Sequence, residues 1–556
     1  MSSRKVPDPA PVGPLGAYLR RAGFPAEAAL AERASGDAMA RLKLETALHR
    51  EKAKLPISPD LQEMKQLFTT LFGSAMDLIT HDHLIGPNQT PMLSVCINGT
   101  SDRRLLENAL AELQRTTAEA PAEAEALLDW LATQRSSIPR TKVETRLDSL
   151  VNAVLGGNAV VLVQGSARAI SLVTPGWPHR KVDEPPSEGV VRGPREGLTE
   201  ALTLNTALVR ERIRDERLRM EEMSIGEITH TRVVITYIAG LCRPALVAEV
   251  NRRLNRIKID GILGSAYIEE FIEDTTWTVF PTTRATERPD VVAAALLEGR
   301  VAILTDGSPF ALIVPAVFND LMQSAEDYYE RFPVIAMART LRWLFASIAL
   351  LGPAFYVAFT TFHQEMLPHP LLVSIMAARE GVPFPAVVEA LIMEIAFEAL
   401  REAGIRMPKQ IGQAISIVGA LVIGQAAVQA GIVSAPMVIV VSLTGLASFV
   451  IPSYGLAISL RILRFGMLLV AATFGAYGLT LAVMCLLVHL ISLRSFGAPY
   501  YSPMAPLIPE DLDDAMLRTP HWANRKRPTV SSPTDTTRLA PGQGPNDHVP
   551  SDKEDS

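Results

Sequence analysis

The sequence predicts an α/β soluble N-terminal region of two similar lobes followed by an all-α transmembrane helical domain. Two observations carry this. Apolar residues concentrate late in the chain, in LRWLFASIALLGPAFYVAFTT (341–361), IGQAISIVGALVIGQAAVQAG (411–431), IVSAPMVIVVSLTGLASFVIP (432–452) and FGMLLVAATFGAYGLTLAVMCLLVHLI (465–491). At 1.5 Å per helical residue, each can cross a hydrocarbon core of roughly 30 Å. The second observation is an internal repeat in the polar front half, each copy reading as strand, helix and β-hairpin.

In chain order, residues 1–60 are rich in Ala, Pro, Arg and Glu with little apolar pattern, and read as a variable arm, mobile or weakly helical. Residues 61–190 make the first lobe and 191–330 the second. In MLSVCINGTSDRRLLENALAEL (92–113) an apolar run meets an Asn-Gly turn, then a helix with Leu105, Leu106, Ala109 and Leu113 on one face. VVITYIAGLCRPALVAEVNRRL (233–254) repeats the design with Gly240, then Leu246, Val247, Val250 and Leu254. Further on, Gly157, Leu162, Gly165, Ser166 and Ala169 match Gly299, Leu304, Gly307, Ser308 and Ala311 at nearly the same interval. Gln164-Gly165 and Asp306-Gly307 lie between β-rich runs, the setting of a hairpin turn. A connector over 181–213 begins with prolines and ends as a charged helix. Residues 331–500 form the transmembrane helical domain, with four or five crossings. Residues 501–556, increasingly Pro, Ser, Thr, Asp and Lys toward the end, read as a hydrophilic, largely disordered tail.

Composition narrows the function. A net charge of −6 argues against nucleic-acid binding. Cys96, Cys242 and Cys485 are too scattered for a disulfide framework or a zinc site. The N-terminus carries no apolar signal core, so the front half is expected in the cytoplasm. There is no phosphate loop, dinucleotide fingerprint, HExxH or GxSxG, and no catalytic residue, cofactor or metal is assigned. His81 and His83 in THDH are a candidate metal pair but read first as a polar loop. Arg192 and Arg195 in RGPREG can hold an anion or can pair with Glu184, Glu188 or Glu196 to fix a linker; the linker role is preferred. NQT (88–90) and NGT (98–100) are glycosylation sequons by letter only.

In the membrane half, GVPFPAVVEALIMEIAFEALREAG (381–404) is apolar yet carries Glu389, Glu394 and Glu398. At 100° per residue Glu394 and Glu398 share a stripe, with Arg401 and Glu402 near it and Glu389 almost opposite. A carboxylate at membrane depth must face protein, water or a cation. Alternatively the helix lies flat with its charges among headgroups. If it spans, the positive-inside rule gives five crossings and a tail outside; if not, four, with both ends inside. Arg525, Lys526 and Arg527 in the tail favour four, whereas Arg401, Arg406 and Lys409 favour five. Gly412, Ser416, Ala420 and Gly424 form a small-residue row suited to close helix packing, and Gln413, Gln425 and Gln429 add polar groups needing a partner or water. Candidate pore residues are therefore Glu394, Glu398, Gln413, Ser416 and Gln425; candidate packing residues are Gly412, Ala420 and Gly424.

VVRGPREGLTEALTLNTALVRERI, KIDGILGSAYIEEFIED (258–274), REGVPFPAVVEALIMEIAFEALREAGIRMPK (379–409) and the run 411–454 closely resemble GerA-type spore germination proteins, over roughly residues 60–505. The wording resembles the A subunit of a germinant receptor more than the related stage V sporulation membrane protein. The resemblance implies a multi-pass protein of the endospore inner membrane. It implies a transporter-like B subunit and a lipoprotein C subunit as partners, and a homo-oligomer forming a cation-conducting path whose opening starts germination. Two rival readings are a secondary transporter, disfavoured because the duplication lies in the soluble half, and a membrane-tethered enzyme or signalling protein, whose enzymatic form lacks a catalytic constellation.

Overall fold

The computed structural model describes residues 13–545 except 35–37, 74, 86–87, 116–120, 122, 134–140, 177–183 and 407–423. The first described residues form three helices, Gly13–Arg21, Pro25–Arg33 and Ala38–Glu51, the helical alternative of the arm's two readings. Leu15, Leu19, Ala28, Leu44 and Leu48 bury against Phe68 and Phe72 of the next helix, Leu61–Phe72. Alanine-rich helices bury small side chains, so their apolar stripe is faint in sequence.

The first sheet contains β1 (Leu78–Ile85), β2 (Thr90–Ile97), β3 (Thr141–Glu144), β4 (Ala159–Val163) and β5 (Ala169–Leu172), in the order β1-β2-β4-β5-β3. The second contains β6 (Leu218–Ile225), β7 (Thr231–Ile238), β8 (Arg284–Thr286), β9 (Val301–Thr305) and β10 (Ala311–Val314), in the order β6-β7-β9-β10-β8. All neighbours are antiparallel. Leu162 faces Ala169 as Leu304 faces Ala311. Gly165 and Gly307, at φ 93° and 79°, make the same turn in each sheet, a conformation open to glycine at no steric cost. Alternation sends Leu93, Val95 and Leu162 to one face and Met92, Cys96 and Val161 to the other, both covered by helices. The second sheet divides Val234 and Leu304 from Val233 and Ile303 in the same way.

Two local readings change. THDH is not a loop: it lies in edge strand β1, with His81 opposite Ser94 and His83 opposite Met92. The charged helix of the connector, Leu202–Arg212, packs on the second sheet as Leu61–Phe72 packs on the first. It also ties the units together. Arg210, fully buried, forks onto both oxygens of Asp77 at 2.8 and 3.0 Å.

The helical half comprises Phe332–Thr361, His369–Arg379, Ala386–Arg406, Ala435–Phe449 and Tyr454–Ser492. Phe332–Thr361 and Tyr454–Ser492 are long and apolar enough to cross a membrane. The second of these is not one rod. At Gly475 the backbone turns to φ 61°, ψ −148°. Ser459 donates to the carbonyl of Val279, and His489 pairs with the neighbouring Thr278 at 3.0 Å. In a straight helix Ser459 and His489 would stand about 45 Å apart. The segment is therefore a helical hairpin whose tip lies beside Phe362 and His363, at the far end of the first long helix.

The described part of the tail, to residue 545, returns to the sheets. Tyr500 caps the bundle with its hydroxyl on the carbonyl of Pro281. Asp514 accepts from Tyr328 (2.9 Å) and Arg339 (2.8 Å), and the Thr534 amide donates to Leu241 at 2.9 Å. A Pro/Ser/Thr composition builds no core, but its backbone is tied down by such bonds. Tail and sheets thus share one side of the bundle. This follows from the doubling back of the last apolar run at Gly475.

Candidate functional site: a charged cluster in the apolar bundle

Helix Ala386–Arg406 starts beyond Pro385, whose carbonyl accepts from the amides of Val388 and Glu389. Its first half lies toward the far end of the bundle, where Ala386 and Ala390 pack on Val357, Met437 and Leu468. Its second half approaches the sheet side, where Arg401 donates to Ser448 at 3.0 Å. Three carboxylates enter this apolar setting, each matched by arginine. Glu389 is fully buried and accepts from Arg379 (3.1 Å) and the Ser434 amide (2.9 Å). Glu394, 1% exposed, lies 2.8 Å from Arg464, itself 1% exposed. Glu398 meets Arg461 at 3.0 Å, Arg401 at 3.3 Å and Arg464 at 3.5 Å.

The hydrogen bonding is incomplete. Among the described residues, both Glu394 oxygens and the Nε and Nη1 of Arg464 have no hydrogen-bond partner. Buried polar atoms are nearly always satisfied, and an orphan calls for an explanation such as water or an ion. Beside the cluster opens a cavity of about 290 Å³ lined by Glu398, Arg401, Glu402, Tyr454, Arg461 and Phe465. Arg401 is also stacked near Phe397 and Phe449, at 5.4 and 4.9 Å from the ring centres. Glu402 instead pairs with Arg406 at the exposed helix end, at 2.6 Å.

Of the residues expected at the site, Glu394 and Glu398 come together as their shared stripe predicts. Gln425 is exposed on the helical stretch 424–429, and Gly424 is buried, with a Cβ there falling 3.5 Å from Val438. Gln413, Ser416, Gly412 and Ala420 lie outside the described residues. Sequence reasoning missed Arg461 and Arg464 as partners. Their signal was present: two arginines three apart, one helical turn, opening an apolar run, need carboxylates from another helix.

Two other polar features lie outside the bundle. Asp327, Arg339 and Arg342 join the start of the first long helix to the loop before it, with Asp327 at 2.9 Å from both arginines. Burial works against the Asp327 carboxylate, yet the arginines outweigh it and hold its pKa below the ordinary value. On the first sheet, a cavity of about 190 Å³ is lined by His81, His83, Ser94, Cys96, Arg103 and Leu106, among others. Burial and neighbouring His81 lower the pKa of His83, leaving a neutral imidazole at pH 7. At RGPREG the expected pairs do not form among the described residues: Arg192 approaches Glu330 at 3.8 Å, and Glu196 binds Arg212 at 2.5 Å.

A family model described as Bacillus/Clostridium GerA spore germination protein matches residues 65–530. "Spore germination protein KA" of Bacillus subtilis (strain 168) is 46% identical over 497 residues, covering 88% of this chain and 90% of its own. "Uncharacterized membrane protein YfkQ" of the same organism is 45% identical over 493 residues, covering 88% and 95%. "Spore germination protein B1" of that organism is 38% identical over 485 residues, covering 87% and 100%. A crystal structure of the N-terminal domain of the A subunit of the Bacillus megaterium spore germinant receptor GerK3 matches 47% of this chain and 97% of its own, at 31% identity and TM-score 0.37. The chain belongs to the GerA family of spore germination proteins.

Proposed function

We propose that this chain is the A subunit of a nutrient-germinant receptor in the inner membrane of the endospore, and that copies of it assemble around a cation-conducting path. The apolar bundle is the membrane part, crossed an even number of times so that sheets and tail share the cytoplasmic side. A transporter-like B subunit and a lipoprotein C subunit are its partners. The observation that carries the reading is Glu394: a buried carboxylate inside an apolar bundle, ion-paired with Arg464 at 2.8 Å yet with neither oxygen in an aligned hydrogen bond among the described residues. Carboxylates contributed by several subunits favour cations over anions. Arg461 and Arg464 occupy Glu394 and Glu398, so conduction requires those guanidinium groups to withdraw. Gln413, Ser416 and Gln425 are the further path candidates, and Gly412, Ala420 and Gly424 the packing candidates.

The test is reversal-potential measurement on the purified protein in bilayers across an asymmetric salt gradient. Glu394→Gln and Glu398→Gln are expected to reduce cation conductance or cation-to-anion selectivity while the protein stays in the membrane. Glu389→Gln, held by Arg379 and a backbone amide on the other side of the helix, is expected to change selectivity less. Unchanged selectivity in both Glu394 and Glu398 variants would remove this helix from the path.

A further inference from the structure

The second sheet's covering helix Ser265–Ile272 turns Ile268 and Ile272 inward and leaves Tyr267 and Phe271, one turn apart, on its open face. Beyond the end of that helix, Trp277 is 94% exposed and Val279 is 41% exposed. Tryptophan is highly buried on average, and exposed apolar groups gathered in one region, unlike single ones, mark a contact surface. The position of Trp277 in the fold is specific. The next residue, Thr278, pairs with His489 at the end of the helical hairpin, and the carbonyl of Val279 accepts from Ser459 near its start. Gly455 lies against Pro281, where a Cβ would come within 3.3 Å of the proline ring. Trp277 therefore stands at the level where the apolar bundle ends and the sheets begin.

Of the acidic groups of this segment, Glu270 is exposed beside Tyr267 and Phe271 and must point to the headgroup water, while the others are engaged. Glu269 accepts from Thr283, and Asp274 pairs with Arg253 at 2.6 Å and takes the Phe496 amide. Burial raises the pKa of both Glu269 and Glu273. The exposed Arg494 lies just past the hairpin, a basic group suited to anionic headgroups. Tryptophan and tyrosine favour the membrane–water boundary because one end of the ring system is apolar and the other polar.

We propose that Tyr267, Phe271, Trp277 and Val279 form a lipid-facing anchor that seats the second sheet on the headgroup layer. The anchor rests on the reading that the bundle is membrane-embedded. It fixes the height of that sheet relative to the hairpin, so that movement of one is felt by the other.

The test compares the full chain with Trp277→Phe, a change at a bare surface position, after reconstitution into phosphatidylcholine–phosphatidylglycerol vesicles. Lipids brominated near the headgroup are expected to quench about half or more of the emission that Trp277 contributes, with iodide quenching it weakly, as for an interfacial indole. Strong iodide quenching without lipid quenching means that Trp277 is in water and overturns the anchor. Protection from both quenchers means that a second copy or another protein covers it, and overturns the anchor equally. Phe474→Trp, at the exposed far tip of the hairpin (68% exposed), separates the two readings. If brominated lipid quenches the indole introduced by Phe474→Trp but not Trp277, the anchor fails while the embedded bundle stands; if it quenches neither, the bundle reading itself fails.

Discussion

The two sheets repeat one another in strand order, register and turn glycines, yet they are finished differently. Cys96 opposite Ile79 on β2 corresponds to Tyr237 opposite Arg219 on β7, and His81 corresponds to Glu221. In the second sheet the Tyr237 hydroxyl donates to Glu221 at 2.7 Å and closes the face. In the first, the small thiol leaves a cavity of about 190 Å³ beside His81 and His83. The tie between units is also one-sided: Arg210 grips Asp77, whereas Thr69 stands at the matching place on the first unit's helix. Duplication preserved what the backbone requires and released what side chains do. The first sheet kept an open cavity, and the second became the packed platform that touches the bundle and the tail.

The largest expected effect comes from breaking the tie. Arg210→Met leaves the Asp77 carboxylate buried without its counter-charge, which costs about 3–5 kcal/mol in comparable pairs. The Asp77→Leu, Arg210→Met double replacement is expected to recover part of that loss, because no carboxylate is then stranded, although the Asp215 and Leu218 carbonyls still lose the Arg210 donor. Chemical unfolding followed through the sheets' circular dichroism measures both. A loss below about 1 kcal/mol for the single variant would mean that the pair is a passive contact and that the units are held by apolar packing alone.

A smaller effect sharpens the contrast between the two faces. Cys96→Tyr with His81→Glu rebuilds in the first sheet the pair that closes the second. A double-mutant cycle is expected to give a favourable coupling of about 0.5–1.5 kcal/mol, the usual worth of one such hydrogen bond. Zero coupling would show that the two faces diverged in backbone as well as in side chains.

The same contrast explains what the sequence revealed. β2, β4, β7 and β9 were readable because they are apolar runs bounded by turn residues, and the glycine turns because Gly165 and Gly307 recur in matching company. Edge strands β1 and β6 were not, since THDH and MEEM carry polar groups on a half-exposed edge and give no apolar signal. The hairpin at Gly475 was hidden inside one continuous apolar run, because hydropathy measures length and not direction. The carboxylate stripe of the candidate site was legible from helical spacing alone. Its arginine partners were not, because Arg461 and Arg464 arrive from a different helix and only the fold brings them together.

The smallest expected effect tests the repeat at its turns. Gly165 and Gly307 both hold positive φ, so alanine at either is strained by roughly 1 kcal/mol whatever the surroundings. The surroundings differ: a Cβ at Gly165 would sit 3.3 Å from the Ala124 methyl, while none of the described neighbours lies within 4 Å at Gly307. Gly165→Ala is therefore expected to cost a few tenths of a kcal/mol more than Gly307→Ala, by roughly the energy of a mild overpacking contact. Unfolding midpoints of the two variants, measured side by side, give the difference. If Gly307→Ala is the worse of the two, the turns are not energetically equivalent, and the repeat is then one of sequence and outline rather than of local backbone strain.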